Sequence, residues 1–349
     1  MPNRIVSVLT LFSRIGLLVF VSAAGSAAAL GQSVPEFYSK NPISIFTHTP
    51  SGSYDLSARL IARGLSRHLP GNPPAAVRLM VGANSVIAAN HVYNVAPKDG
   101  TAIWAGARLA PYIHLMGDMQ NVRFDVTKVH WLGSSASENG VVIASVRAPH
   151  RFAEDLFTHE LLVGATVPGA DTHLYPHALN KLLGAKFKII PGDQSPAPIV
   201  LAIEQGELQG SGSLSWGNLV AQYPHLLSEN KIRVLMQLGL KRLDALPNVP
   251  LAMDFAKNKE EYEILSVLMS VRQYSYPFFV APGVPPDRVQ ALQAAFEKTL
   301  KDEDFLADSA KQGRPEGMAT AAELTQAYQR AFVLPASTLD RLREVVRID

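Results

Sequence analysis

Short apolar and β-branched runs alternate with helical patterns along most of this chain. The runs predict strands at residues 43–47, 77–80, 101–105, 141–146, 161–165, 187–190 and 232–237. Between them apolar residues recur at helical spacing, as in Leu56, Leu60, Ile61 and Leu65. Strands that alternate with helices predict an α/β fold with mainly parallel, doubly wound sheets.

Two changes in composition, near residues 147 and 275, predict that the chain crosses twice between two domains. The first domain is then discontinuous and comprises residues 31–147 and 276–349. The second domain is the insert, residues 148–275. Two doubly wound domains joined by two hinge crossings are the expected architecture.

The first thirty residues have the pattern of a separate segment. Arg4 and Arg14 give a positive start, an apolar run follows at 15–21, and small residues occupy 27–29. This order predicts a secretory signal peptide over residues 1–30, cleaved between about residues 28 and 34. The apolar run is too short to span a bilayer of about 30 Å. We therefore expect an exported, periplasmic protein.

Composition narrows the possible partners. The chain has 349 residues, of which 47% are apolar and 18% charged, which is typical of a folded protein. Its formal charge of +2 falls to about zero when the two arginines of the signal peptide are removed. A neutral surface gives no reason to expect a nucleic acid or an anionic membrane as partner. The absence of cysteine excludes disulfides, thiol chemistry, cysteine metal sites and a lipid anchor.

The sequence lacks the common catalytic motifs. It contains no nucleophile elbow, no zincin helix, no phosphate-binding loop and no dinucleotide fingerprint, and its carboxylates are scattered. His173 and His177 are four residues apart and share a helix face, but Pro176 lies between them and no third ligand is evident. We therefore predict no enzyme activity, no cofactor and no metal site, with surface or packing roles for the two histidines.

Three loops of small residues each connect a strand to a helix. In open α/β sheets ligands favour this edge, where helix amino termini offer unpaired N–H groups to an anion. The short side chains predict a carboxylate held by main-chain N–H groups in a cleft nearly free of lysine and arginine. Valine at Gly82 or Gly169 should then weaken binding without unfolding the chain. The candidate ligand-binding residues are Pro50, Ser51, Gly52, Ser53, Tyr54, Asp55, Gly82, Ala83, Asn84, Ser85, Thr166, Gly169, Ala170, Asp171 and Thr172.

Ordinary turns and helix caps remain the alternative for these loops. Asp55 can stabilise its helix dipole and pair with Arg59 one turn later, or it can face a ligand amine or hydroxyl. Trp216 can form a pocket wall or pack in the core.

Several motifs give the chain a family resemblance. The loop at 50–55 corresponds to a Pro-Gly-Gly-x-x-Asp motif of a known family. The loop at 82–85 corresponds to the Gly-Ala-Gly-Ser motif of the same family. The segments 36–38, 93–101, 246–250 and 280–285 extend the match over nearly the whole mature chain. On these motifs the sequence resembles the tripartite tricarboxylate transporter substrate-binding proteins, also called Bug or TctC-type receptors.

The resemblance implies a type II periplasmic-binding fold with the ligand in the interdomain cleft. It implies a receptor that captures a small organic carboxylate, such as a di- or tricarboxylate, an acidic amino acid or an aromatic acid. We expect this receptor to be a monomer. The expected partner is a two-component integral membrane permease. A receptor for a sensor kinase, or an enzyme acting on the bound acid, are the alternatives.

The sequence also departs from the family pattern. Ser51, Ser53 and Asn84 replace glycines. A stretch that is glycine-rich in the family contains Asp193, which adds this residue to the candidate ligand set. These side chains bear on which acid is bound.

Overall fold

The computed structural model describes residues 32–50, 52–116, 121–166, 170–192, 196–311 and 317–347. The predicted signal peptide and three candidate ligand residues, Ser51, Gly169 and Asp193, lie outside these ranges. Within the described ranges no helix has the length and apolar character needed to cross a membrane.

All seven predicted strands are present, with bounds within two residues of the prediction. Four further strands, β4, β8, β10 and β11, were not among the predicted runs. The strands are β1 Ile43–Thr47, β2 Ala75–Leu79, β3 Ala102–Ala105, β4 His130–Ser134, β5 Gly140–Ser145, β6 Leu161–Ala165, β7 Phe187–Pro191, β8 Gly210–Ser215, β9 Ile232–Leu238, β10 Pro277–Val280 and β11 Ala319–Thr320.

Helices follow most strands, and polar side chains cap several of them. The predicted capping box at Thr320 and Glu323 is confirmed, since the Thr320 hydroxyl accepts from the backbone N–H of Glu323. The helices are α1 Val34–Lys40, α2 Gly52–His68, α3 Val86–Asn94, α4 Ile113–Met116, α5 Asp171–Leu183, α6 Pro196–Gln205, α7 Trp216–Gln222, α8 Pro224–Ser228, α9 Lys259–Gln273, α10 Pro286–Leu300, α11 Glu303–Lys311, α12 Ala321–Phe332 and α13 Ala336–Val346.

The strands form two mixed sheets, so the prediction of mainly parallel sheets is wrong. The first sheet has the order β11-β4-β10-β3-β1-β2 and the second β7-β6-β8-β5-β9. In the first, β1 runs parallel to β2 and β3, but β10 is antiparallel to both its neighbours. In the second, β6 is parallel to β7 and β8, but β5 is antiparallel to β8 and β9. The chain enters the second sheet through β5 and returns to the first sheet through β10. Each of these two strands runs antiparallel to both its neighbours.

The first crossing lies earlier than the sequence predicts. Strand β5 pairs with β8 and β9 of the second sheet, so the chain leaves the first sheet between Ser134 and Gly140 and not near residue 147. It returns between α9 and β10, close to the predicted residue 275. Contacts join both sheets into one unit that begins at Val34, and the division into two domains stays a prediction.

Three apolar cores cover the faces of the sheets. Helices α2 and α10 pack on one face of the first sheet, around Leu60, Phe278 and Phe296. Another core covers a face of the second sheet around Ile143 and Ile199. The third core is shared by both sheets, and in it Phe279 stacks on Trp104 with ring centroids 4.6 Å apart.

The stacked aromatic group in the shared core should be one of the main sources of stability. Phe279 is fully buried and meets Trp131 edge-on with centroids 5.5 Å apart. Phe279→Ala should destabilise the protein by about 3–5 kcal/mol, because it removes apolar contacts and leaves a cavity. Thermal unfolding measures this as a lower midpoint. The exposed Val333→Ala is the control, expected within about 0.5 kcal/mol of the parent. Equal midpoints for the two variants would contradict the packing described.

Candidate functional site

Each sheet has one edge at which its parallel strands end, which we call its carboxyl edge. Short segments of chain connect the carboxyl edges of the two sheets. Strands β1, β2 and β3 end at one edge of the first sheet, and β6, β7 and β8 end at one edge of the second. The segment 135–139 runs directly from the end of β4 to the start of β5, which lies beside the end of β8. The predicted ligand loops all follow strands that end at these two edges.

The first predicted loop leads from β1 into α2, which begins at Gly52 and contains Ser53 in its first turn. Asp55 accepts a hydrogen bond from Nε of Arg59 at 2.8 Å, which confirms the pairing alternative for this carboxylate. Tyr54 is directed differently. Its hydroxyl accepts from the backbone N–H of Arg108 at 3.3 Å, and its ring lies 5.0 Å from that of Tyr276.

Buried polar groups gather where β1 ends, just before Pro50. The hydroxyls of Thr47 and Thr49 and Nδ1 of His48 are buried, and none has a hydrogen-bond partner among the described residues. The buried hydroxyl of Ser213 in β8 likewise has no partner in the part of the chain that the structure describes. Burying a polar group without a partner is costly, so such groups at a sheet edge are candidates for hydrogen bonds to a ligand.

The second predicted loop has an unusual backbone. Gly82, Ala83, Asn84 and Ser85 have φ values of 135°, 44°, 47° and 72°. Residues with side chains rarely occupy this region, and a run of three points to a conformation held by its surroundings. The Ser85 hydroxyl accepts from the backbone N–H of Ala107 at 2.9 Å, and this bond ties the loop to the end of β3.

The expectation that valine at Gly82 would leave the fold intact stays a prediction, but the structure shows that such a residue would strain the loop locally. A Cβ at Gly82 would lie 2.3 Å from Cδ1 of Ile87, and the φ of 135° disfavours any side chain. A substitution there strains the loop itself as well as any bound anion.

The third predicted loop closes on its own hydroxyl groups. The backbone N–H of Thr166 donates to the hydroxyl of Thr172 at 2.9 Å, and the two hydroxyls are 2.8 Å apart. Ala170 is the N-cap of α5, so Asp171 occupies the first helical turn. The Asp171 carboxylate forms ion pairs with arginines from elsewhere in the chain.

Four charged residues connect the two carboxyl edges; we call them the inter-sheet ion network. Nη1 of Arg108 lies 2.9 Å from Oε1 of Glu138 and 3.4 Å from Oδ2 of Asp171. Nη1 of Arg272 lies 2.6 Å from the same Asp171 oxygen. The Ser215 hydroxyl donates to Oε2 of Glu138 at 2.7 Å. The expectation of a site nearly free of arginine is therefore wrong at Asp171.

Burial and charge act in opposite directions within this network. Burial alone would raise the pKa of Asp171, but the guanidinium groups of Arg108 and Arg272 hold this pKa below its ordinary value. Burial likewise opposes the charge on Arg108, yet Asp171, Tyr54 and Glu138 keep the pKa of Arg108 well above its ordinary value. Asp171 and Arg108 are therefore both charged at neutral pH.

The histidine pair makes local packing contacts, and the surface or packing role expected from the sequence stays a prediction. The rings of His173 and His177 lie 6.1 Å apart, and Nε2 of His177 is 2.9 Å from the carbonyl oxygen of Arg347. Burial first, and the neighbouring His177 second, lower the pKa of His173. In the described part of the chain no three potential metal-ligating side chains come together. Trp216 packs against the core of the second sheet, which agrees with the core-packing alternative given for it above.

The sequence reading missed Arg108, Glu138 and Arg272. Arg108 and Glu138 follow strands β3 and β4, whose residues apart from His130 are small or apolar, so isolated charges there were the available signal. Arg272 lies in α9 among buried residues, and its partner is 101 positions away. No local pattern reveals such a pairing.

Solved structures share this arrangement of elements. A TctC solute-binding protein from Polaromonas superposes with a TM-score of 0.71 at 19% identity, over 88% of this chain and 99% of that one. The fold is that of a type II periplasmic binding protein. MatC from Rhodopseudomonas palustris, solved with bound malate, gives 0.55 at 20% identity, over 88% and 99% of the two chains.

A further R. palustris protein of this fold, solved with adipate, has a TM-score of 0.55 at 20% identity, over 87% of this chain and 96% of that one. No protein-family model matches the sequence, and no curated protein matches it. At these identities the solved structures show the periplasmic-binding-protein fold.

The network should make stability depend on Asp171. Asp171→Asn removes the charge that Arg272 faces in the interior, which should cost about 3 kcal/mol at neutral pH. A lowered pKa stabilises the fold above the ordinary carboxyl value of about 4, and this contribution is lost as pH falls through the lowered pKa. The difference in Tm between parent and variant should therefore shrink below about pH 4.

Asp340→Asn is the matched control, because Asp340 forms an exposed ion pair with Arg343 on α13. Its Tm should follow that of the parent at every pH, since exposed pairs contribute little. A Tm gap for Asp171→Asn that stays constant with pH would show that the lost stability is not electrostatic.

Proposed function

We propose that the chain is an exported solute-binding receptor of the tripartite tricarboxylate transporter type. It captures a small organic carboxylate between its two sheets and delivers it to a two-component integral membrane permease. The observation that carries the proposal is the meeting of the two carboxyl edges at an arginine, Arg108, beside the predicted ligand loops.

Sequence and fold support this function independently. The loops at 50–55 and 82–85 resemble the ligand loops of that receptor family, and the fold is the one in which such receptors are solved. Two proteins of this fold were solved with malate and with adipate, both small carboxylates. The signal-peptide pattern supports export to the periplasm.

Binding without chemistry fits the carboxylates of the site. A general base works best when its pKa lies near the working pH. The pKa of Asp171 is lowered by Arg108 and Arg272, so this carboxylate is a weak base. Glu138 is engaged by Arg108 and Ser215.

Two domains, one around each sheet, would move about the segments 135–139 and 274–276. A ligand that contacts both carboxyl edges stabilises the closed arrangement by its differential affinity for it. The closed arrangement is then the form that the membrane partner recognises. On this proposal the protein acts by binding its ligand and closing around it, and it does not catalyse a reaction.

A thermal-shift screen tests the function. The exported protein is heated with malate, adipate, glutamate or benzoate, and with choline and glycerol as controls. At a hundred times its Kd a ligand stabilises the native state by about 2.7 kcal/mol, so at least one acid should raise Tm by several degrees. The controls should leave Tm unchanged. If no carboxylate shifts Tm at millimolar concentration, the receptor function is wrong.

Mass analysis of the same sample should place its amino terminus between about residues 28 and 34.

A further inference from the structure

We propose that Arg108 binds the ligand carboxylate through the edge of its guanidinium group formed by Nε and Nη2. The proposal rests on the proposed function, because it names the group that distinguishes an acid from an uncharged ligand in that site. Arg108 is thereby a specificity-determining residue.

Within the described part of the chain, one side of the Arg108 guanidinium has ion-pair partners and the other side has none. Both of its ion pairs, to Glu138 and Asp171, are made by Nη1. Nε and Nη2 donate to none of the described residues, and the side chain is 17% exposed. These nitrogens carry the remaining donors of a planar fork, which matches the two oxygens of a carboxylate.

The second arginine of the network cannot take this role. Arg272 is 2% exposed, and its guanidinium carbon lies 5.6 Å from the centre of the Tyr175 ring. A Cβ placed at Gly140 would come within 2.3 Å of its Nε, so backbone covers that side. Arg272 holds Asp171 in position, and Arg108 is the arginine of the network that solvent reaches.

The surroundings fix Arg108 before any ligand arrives. Glu138 is held by the Ser215 hydroxyl and Asp171 by Arg272, so both partners of Nη1 are themselves oriented. The backbone N–H of Arg108 donates to the Tyr54 hydroxyl. A guanidinium held in this way loses little freedom on binding, which favours affinity.

All three predicted ligand loops reach this residue or its neighbour. The loop at 50–55 reaches it through Tyr54, and the loop at 82–85 is bonded through Ser85 to Ala107, the neighbour of Arg108. The third loop reaches it through Asp171. A carboxylate on the free edge of Arg108 would therefore lie among the groups that the sequence selects as ligand-binding.

The network itself carries no net positive charge that would attract an anion. Its two arginines and two carboxylates sum to zero, so the network offers no excess positive charge to mobile ions. Recognition depends on direct, charge-assisted hydrogen bonds from Nε and Nη2, which are stronger than those between neutral groups. An amide in place of the carboxylate loses this advantage.

Matched acids and amides test the proposal. Calorimetry measures the affinity for adipate and adipamide, malate and malamide, and benzoate and benzamide, and the pair whose acid binds the parent most tightly is used. The parent should prefer the acid. In Arg108→Gln the affinity for the acid should fall about 10- to 100-fold while that for the amide changes little. The acid-to-amide preference should therefore collapse, whereas a purely structural role would weaken both ligands alike.

A conservative variant and a control complete the experiment. Arg108→Lys keeps a positive charge opposite Glu138 and Asp171 but loses the planar fork, so it should give an intermediate preference. Arg242→Gln removes an arginine from an ion pair with Asp254, at 2.7 Å, outside the site, and should leave the preference unchanged. If Arg108→Gln does not fold by circular dichroism, Arg108→Lys decides.

The possible failures are distinct. An acid-to-amide preference that equals the parent's in a folded Arg108 variant overturns the role of Arg108 and leaves the receptor function standing. Loss of acid and amide binding in equal measure overturns it as well. A parent protein that binds none of the acids overturns the proposed function itself.

Discussion

Buried charge must be paired, and in this protein the pairing runs from one sheet to the other. Arg272 and Glu138 are almost fully buried, and an unpaired charge in the interior costs several kcal/mol. Arg272 meets Asp171 at the start of α5, and Arg108 meets both Asp171 and Glu138. The arrangement of the two carboxyl edges that the structure shows is the one that satisfies these charges.

The same pairing explains how a site composed of short side chains can contain arginine. Asp171 lies at the amino terminus of a helix, where the helix dipole already favours a carboxylate. It forms ion pairs with Arg272 and Arg108. Arg108 then lies beside Tyr54 and next to Ala107, to which Ser85 is bonded. Loops that are separate in sequence therefore surround one guanidinium group.

Strand prediction succeeded for most apolar strands, although it missed Pro277–Val280, and it failed where pairing alone makes the strand. Strand β6, at Leu161–Ala165, has the predicted bounds because its apolar run is bounded by polar residues. Strand β8 reads Gly-Ser-Gly-Ser-Leu-Ser, which has little preference for a strand, and it forms between β6 and β5. The apolar run of β5 was recognised, but its sheet was not, because nothing local to a strand says which neighbours it pairs with.

The sequence by itself determined the α/β class, most strands and the loops at which strands give way to helices, because these depend on local periodicity and turn chemistry. It also determined the absence of cysteine chemistry. Only the tertiary structure decided that the sheets are mixed, that the first crossing precedes Gly140, and that Asp171 faces arginines. Pairing across the 101 positions between Asp171 and Arg272 depends on how the sheets pack, and no short-range pattern encodes it.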